Sequence, residues 1–454
     1  YFPSSQLIAE WSRALLSSFF KGDTSHVLSQ KIVDDYWLWD PLHNVHPPFY
    51  KILSSITWAS FKNRIGDFAA YRLAPALMFA CLIMVLFSTI KEKYGILAGV
   101  YGSLCLLFMP RIFGHAHIGA TETPLMTLWF LSYWAYWKGL SQRRGSLMLA
   151  FFWGLALATK FTALLIPLPL LLWTVLYREK RSMRNILLLF LAGPLIAIAV
   201  NPGWWHDPLD KILSFVTTSM SRDDTIPIKT YYFGTTYSFS PHWSYAPVMA
   251  AITIPAATLF SFFTGLVALL THKNNRPYNL LFFLTIPVML SIIMLPGSPT
   301  HDGVRQFISI FPFVAFFAGI GLSMLSTWIN ARMLPALRKP TTAVIFGLLI
   351  LLPVNQTAGI HPYELSYYNE IAGGLRGAHK LGMETTYWFE VFDSPFLKKL
   401  NQHLPPNASV SIWPPMDPHL HFLQEEGRIR RDLRIGTPAI KAAVTKKTVR
   451  MSFD

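Results

Sequence analysis

The sequence is short of charged residues, of cysteine and of motifs for soluble cofactors, and each shortage excludes a class of protein. Only 14% of the 454 residues are charged, against about 25% in ordinary soluble proteins, so the roughly three soluble domains suggested by length could not be covered with polar surface. Two cysteines exclude a disulfide scaffold, and 52% hydrophobic residues exclude disorder. The chain contains no P-loop, dinucleotide fingerprint, CxxC pair or serine-nucleophile motif.

What the chain does have is a series of apolar segments that are suited to crossing a bilayer. We predict an all-α polytopic membrane protein with about ten spans. The segments lie at roughly 70–90, 95–110, 119–138, 146–158, 161–177, 185–201, 246–271, 278–295, 306–328 and 340–357.

The surplus of basic residues, a formal net charge of +15, predicts the orientation of these spans. Five basic clusters, near 91–93, 138–144, 178–184, 273–276 and 332–339, are each separated from the next by two predicted spans, so they share one face. By the positive-inside rule that face is cytoplasmic. Because the basic residues are dispersed among these loops, nucleic-acid binding is not predicted.

The same pattern predicts three regions. Residues 1–69 form a first outer loop with juxtamembrane amphipathic helices, residues 70–357 the transmembrane bundle, and residues 358–454 a small outer α/β domain. Short apolar runs in the last region, such as Ala408–Trp413, suit strands.

Two candidate site motifs belong to the predicted outer face. His46-Pro47-Pro48 opens an apolar helix and would hold His46 at the membrane surface, although the motif also suits a plain helix start. Glu122 stands at the outer end of a span, where it could bind a metal ion, act as a base, pair with a buried cation or interact with the helix dipole. His115 and His117 flank it, but two histidines without a third ligand are weak support for a metal.

Three further candidates complete this set. Lys160 lies between two short spans, where phosphate, a carboxylate or snorkelling to the interface would satisfy its charge. Arg305 at the outer boundary suits a lipid-linked phosphate, and Asp302 would pair with it. In the Trp204–Asp207 stretch the two tryptophans suit interface anchoring, and His206 is a possible ligand or base.

Taken in order, these motifs resemble a family. They are His46-Pro47-Pro48, Tyr71-Arg72-Leu73, the stretch G-H-A-H-I-G-A-T-E-T-P-L around Glu122, Ala158-Thr159-Lys160, and Arg305 before Phe307–Pro312. The chain is similar to the C-type (GT-C) membrane glycosyltransferases, in particular to bacterial relatives of protein O-mannosyltransferases and lipid A aminoarabinose transferases (glycosyltransferase family 39). The tail, with His361–Glu370 and Gly373-Gly374, is similar to periplasmic tails of bacterial members.

The resemblance implies an inverting glycosyltransferase of the bacterial inner membrane, with its site and C-terminal domain facing the periplasm. It would move a hexose or pentose from a polyprenyl-phosphate donor to a protein or an envelope lipid or glycan. Glu122 matches the place of an acidic site residue, and Arg305, Lys160 and His46 match phosphate-holding positions. Some members use a divalent metal ion, but the ligands here identify none, and no nucleotide or redox cofactor is implied.

The family's first-loop acids are an Asp-Glu pair shortly before a tyrosine. This chain begins at Tyr1, so we expect one span and the main acid upstream of it, with Asp34 and Asp35 as substitutes in the same loop. Two other functions stay open: a multi-span transporter or flippase of lipids or sugars, and a polymerase or ligase of surface polysaccharide. The sugar, the acceptor and the oligomeric state do not follow from the sequence.

Overall fold

The fold is built almost entirely from helices. The computed structural model describes residues 2–37, 46–220, 229–238, 240–298, 300–388, 392, 394–411 and 417–436. By compactness the chain divides into two units, Tyr1–Tyr387 and Trp388–Asp454.

The first ten helices fill the first half of the chain. They are α1 (Phe2–Phe20), α2 (Gln30–Trp37), α3 (Phe49–Ile65), α4 (Asp67–Leu107), α5 (Pro110–Ala116), α6 (Glu122–Gly139), α7 (Arg143–Leu157), α8 (Pro167–Tyr177), α9 (Lys180–Val200) and α10 (Pro208–Met220). Short 3-10 turns at Phe161–Leu165 and Pro202–Trp204 lie between them. Proline opens several of these helices, where its fixed φ suits the first turn.

A β-hairpin separates these helices from the rest of the first unit. Strands β1 (Lys229–Tyr232) and β2 (Thr235–Ser238) pair antiparallel across a two-residue turn. The turn residues, Phe233 and Gly234, both have positive φ, as a type I′ hairpin turn requires.

The second half of the first unit is again helical. Its helices are α11 (Tyr245–Thr253), α12 (Ala256–Leu266), α13 (Ala268–Thr271), α14 (Arg276–Ile293), α15 (Phe311–Arg332), α16 (Pro335–Ile360) and α17 (Gly374–Lys380). The 3-10 turns are Lys273–Asn275, Arg305–Ile310, Glu364–Ser366 and Glu370–Ala372. The core is strongly aromatic: Phe130 lies 5.7 Å from Phe282 and 5.4 Å from Phe313 between ring centroids.

The number of full-length spans differs from the ten predicted. Within the described residues, five helices are long and apolar enough to cross a membrane, or six if α11 and α12, bent by 112°, form one broken span. Two predicted spans lie in α4, which Gly95 interrupts with a non-helical φ of 85°. The predicted span at 146–158 corresponds to the 15-residue α7, and that at 161–177 to the 3-10 turn Phe161–Leu165 followed by α8. Both are shorter than the about 20 residues that a perpendicular crossing needs.

The second unit has a small core of its own. Its described elements are α18 (Ser394–His403), β3 (Ser409–Val410), α19 (Asp417–Glu425) and β4 (Arg434–Ile435), and the two strands pair parallel. Leu397, Val410, Leu420 and Leu423 are buried together. The strand predicted at Ala408–Trp413 is observed at Ser409–Val410, and the part from 412 onward lies outside the described residues.

Candidate active site

Glu122 is the first residue of α6, and its side chain is 1% exposed. The preceding backbone is fixed by the neighbouring residues: Thr123 Oγ1 donates to the His115 carbonyl oxygen at 2.9 Å, and Tyr71 Oη donates to the Gly119 carbonyl oxygen at 3.1 Å. A methyl group on Gly119 would overlap the Tyr71 ring, so glycine lets α4 approach this turn closely. The carboxylate is therefore held at the buried end of a helix.

Lys160 reaches Glu122 from the turn that follows α7. Its ammonium lies 3.1 Å from Glu122 Oε1 and 3.4 Å from Gln306 Oε1, and the residue is 6% exposed. The Phe49 N–H donates to the Ala158 carbonyl oxygen at 2.8 Å, which ties the start of α3 to this turn. The Lys160 ammonium therefore pairs with a carboxylate and does not extend to solvent.

Arg305 approaches the same carboxylate oxygen from the other half of the chain. Its Nε donates to Glu122 Oε1 at 2.7 Å, and its Nη1 donates to Asp302 Oδ2 at 2.8 Å. Two contacts on different nitrogens fix the plane of the guanidinium. The predicted Asp302–Arg305 pair is thus present, within a larger cluster.

The formal charges of the four side chains in this cluster balance. Lys160 and Arg305 carry two positive charges, and Glu122 and Asp302 carry two negative ones. Glu122 Oε2 is buried and has no hydrogen-bond partner among the described residues. Since two cations stabilise its charged form, Glu122 is a weak base. Removing one cation would leave a buried charge poorly compensated, at a cost of several kcal/mol.

Two histidines border the cluster. His115, near the end of α5, is buried, and burial lowers its pKa to about 4, so its ring is neutral near pH 7. His301 Nε2 lies 2.9 Å from Gln306 Nε2 and 3.9 Å from Asp302 Oδ2. Sequence reasoning passed over Gln306, although it is a polar residue beside Arg305 at the start of an apolar segment.

The described contacts of the other predicted residues are with different partners. Asp34 accepts from Lys211 Nζ at 2.8 Å, and Asp35 is exposed. His206 contacts the Leu28 carbonyl oxygen at 3.0 Å, and His117 contacts the Phe113 carbonyl oxygen at 2.7 Å.

His46 is buried, and its carbonyl oxygen accepts from Lys51 Nζ at 2.8 Å. Lys51 is a buried cation that sequence reasoning missed; it stands in the first turn of the apolar helix α3, directly after Phe49 and Tyr50.

The cluster shows no ready-made ligand set for a divalent metal ion among the described residues. In the described part of the chain no three His, Cys, Asp or Glu side chains converge on one point. Glu122 Oε1 is already shared by two cations, which would repel a third.

Comparison with known proteins finds a family model that matches part of the chain and solved structures that share the fold of most of it. Residues 45–206 match the family model of dolichyl-phosphate-mannose-protein mannosyltransferases. The segment contains His46, Glu122 and Lys160, whereas Arg305 lies outside it. No curated protein matches the chain by sequence.

Two similar solved structures are those of ArnT from Cupriavidus metallidurans. The apo structure has a TM-score of 0.54 and the structure bound to undecaprenyl phosphate 0.55. In both, sequence identity is 14%, and the match covers 87% of this chain and 76% of ArnT. The molecule is thus a multi-pass membrane protein with a GT-C-like fold similar to that of ArnT, and its residues 45–206 match the family model of dolichyl-phosphate-mannose-protein mannosyltransferases.

Proposed function

We propose that the protein is a glycosyltransferase that takes its sugar from a polyprenyl-phosphate donor and transfers it to an acceptor on the outer face of the membrane. The observation that carries this proposal is the meeting of Lys160 and Arg305 on one buried carboxylate, Glu122. Support also comes from the undecaprenyl phosphate bound to the structurally similar ArnT. A protein or an envelope lipid or glycan would supply the acceptor.

The chemistry requires an acceptor oxygen to attack the anomeric carbon of the sugar while the bond from that carbon to the phosphate oxygen breaks. The electron pair of the broken bond leaves with the lipid phosphate. Lys160 and Arg305 would stabilise the negative charge that develops there, since fixed cations in a buried site need no reorganisation. Inversion follows if the acceptor attacks from the side opposite to the phosphate.

Glu122 has an organising role in this proposal. It holds two cations of different segments at one point, with Oε1 as the common contact. A base for the acceptor would have to come from another group, because a carboxylate held by two cations accepts a proton poorly.

The test is sugar transfer by the purified full chain in detergent, with labelled polyprenyl-phosphate hexose or pentose and either peptide or envelope-lipid acceptors. We expect Arg305→Ala to lower kcat/KM by at least about 100-fold, as loss of a transition-state charge contact does. Glu122→Gln should lower it comparably, because Lys160 and Arg305 lose the carboxylate that holds them together. The matched control breaks the exposed Lys138–Glu92 pair (2.7 Å) with Lys138→Met, which should leave the rate unchanged.

Wild-type turnover in both variants would overturn the site. Transmembrane flux of the lipid-linked sugar without any transfer would instead select a transporter. A requirement for pyrophosphate-linked oligosaccharide would select a polymerase or ligase.

A further inference from the structure

Asp302 belongs to a tight turn whose backbone is unusual. Asp302 has a φ of 58° and Gly303 a φ of 66°, so two consecutive residues adopt the left-handed region that side chains other than glycine rarely occupy. The turn carries the Asp302 carboxylate to Arg305 Nη1, at 2.8 Å. A conformation of this kind persists only where surrounding contacts fix it.

Those contacts come from three separate segments of the first unit. The Gly303 N–H donates to Tyr245 Oη at 3.1 Å, at the start of α11. A methyl group on Gly303 would overlap Arg111 Nη1 and would lie 3.4 Å from the Tyr387 ring. The turn is therefore seated against a guanidinium that leaves room only for glycine.

Arg111, on α5, is itself held rigidly. Its guanidinium carbon lies 4.6 Å from the ring centroids of both Tyr368 and Tyr387, and its Nε donates to the Tyr367 carbonyl oxygen at 3.0 Å. The residue is 3% exposed. These tyrosines follow α16, so the segment after the last long helix packs against the turn that contacts Arg305.

We propose that Asp302 is a positioning residue for Arg305, and that Arg111, caged by Tyr368 and Tyr387, fixes the turn that presents Asp302. Asp302 holds Nη1 while Glu122 holds Nε, so the guanidinium keeps one orientation toward the donor phosphate. This inference rests on the proposed function, because the benefit is a preorganised phosphate contact.

A purely electrostatic role for Asp302 and a positioning role predict opposite effects on phosphate binding when Asp302 is removed. If Asp302 merely occupied Arg305 until a phosphate arrived, its removal would delete a competing negative charge and strengthen phosphate binding. If Asp302 positions Arg305, loss of its oxygen atoms weakens binding, whereas asparagine, which keeps an acceptor oxygen and lacks the charge, preserves it.

The experiment measures the Kd of undecaprenyl phosphate for the purified full chain in detergent. We expect Asp302→Ala to raise Kd about tenfold and Asp302→Asn to keep it within about threefold of wild type or lower it. Arg111→Lys should also raise Kd, because an ammonium cannot reproduce a planar group stacked between two rings. The matched control is Arg332→Lys, which alters an arginine 4.7 Å from the Trp328 ring and should leave Kd unchanged.

The outcomes separate the two proposals. The positioning role is overturned if Asp302→Ala binds more tightly than wild type, or if both Asp302→Ala and Arg111→Lys keep the wild-type Kd. In either case the proposed function stays intact, provided that wild type binds and Arg305→Ala loses binding. No binding by wild type, or wild-type Kd in Arg305→Ala, counts against the proposed function itself. Thermal unfolding of each variant shows whether Arg111→Lys is misfolded. If it is, the comparison of Asp302→Ala with Asp302→Asn decides whether Asp302 positions Arg305.

Discussion

At the scale of single residues, several charged side chains of this protein meet in one largely buried region. Glu122, Lys160 and Arg305 form the cluster, and Arg111 with Asp302 continues it. Sequence reasoning identified four of these five residues, because ionisable groups are rare and costly in apolar segments. It missed Arg111, since its role depends on tyrosines more than 250 residues away.

Glu384 gives a prediction about pH and stability. Burial raises its pKa from 4.5 to about 7; nearby Asp302 acts in the same direction and Arg111 opposes it. Between these values the folded state binds the proton more tightly than the unfolded state, so stability falls as pH rises from about 4.5 to about 7. Glu384→Gln removes this dependence and should stabilise the protein at pH 8 by about 1–3 kcal/mol relative to wild type.

The measurement is thermal or denaturant unfolding in detergent at pH 5 and pH 8. Glu10→Gln, at an exposed position of α1, is the control and should leave the free energy of unfolding unchanged at both pH values. An equal effect of Glu384→Gln at both pH values would show that Glu384 does not titrate in this window.

At the scale of helices, close packing depends on small residues at a few crossing points. A methyl group on Gly265 of α12 would overlap the Phe317 carbonyl oxygen, and one on Gly321 of α15 would overlap the Ser261 carbonyl oxygen. Backbone contact of this kind is how helices associate where lipid removes the hydrophobic drive. The sequence does not reveal which glycines play this part.

Gly265→Ala should therefore force α12 and α15 apart and destabilise the protein by about 1–3 kcal/mol. Gly347→Ala on α16 is the matched control, since a methyl group there meets no atom within 4 Å, and alanine favours the helix. Unfolding midpoints of the two variants in one detergent make the comparison. Equal midpoints would mean that the crossing tolerates the extra carbon.

Helix positions followed from apolar composition, but helix continuity did not. The break predicted between the spans at 70–90 and 95–110 is present, because α4 turns at Gly95, but a second break did not follow from composition. The segment 246–271 bends by 112° between α11 and α12. Hydropathy averages over a window, whereas a break is decided by one or two backbone angles.

At the scale of the whole molecule, the orientation predicted from the basic loops remains to be measured. Ser25, in the first loop, and Ser141, in a basic loop, are both exposed. In intact spheroplasts an impermeant maleimide should label Ser25→Cys, and should label Ser141→Cys only after permeabilisation. Wild type reports the background from Cys81 and Cys105, which are partly and fully buried. The reverse labelling would place the site on the cytoplasmic side.

Composition and compactness place the boundary between the two parts of the chain at different residues. The sequence places a boundary at 357/358, where the last apolar segment ends, while compactness places it after Tyr387. Residues between these points pack against the rest of the first unit through Tyr367, Tyr368 and Tyr387, around Arg111. Composition marks the end of the apolar region, but it does not record which polar segment returns to pack against it.

By itself, the sequence determined the membrane class, most helix positions and the few charged residues worth testing, because these follow from local composition and from the cost of charge in an apolar environment. Only the tertiary structure decided that Lys160 and Arg305 meet on the same oxygen of Glu122 and that Arg111 fixes the turn carrying Asp302. Glu122 is separated from these two cations by 38 and 183 residues along the chain. Contacts at such separations are set by helix packing, which no local pattern encodes.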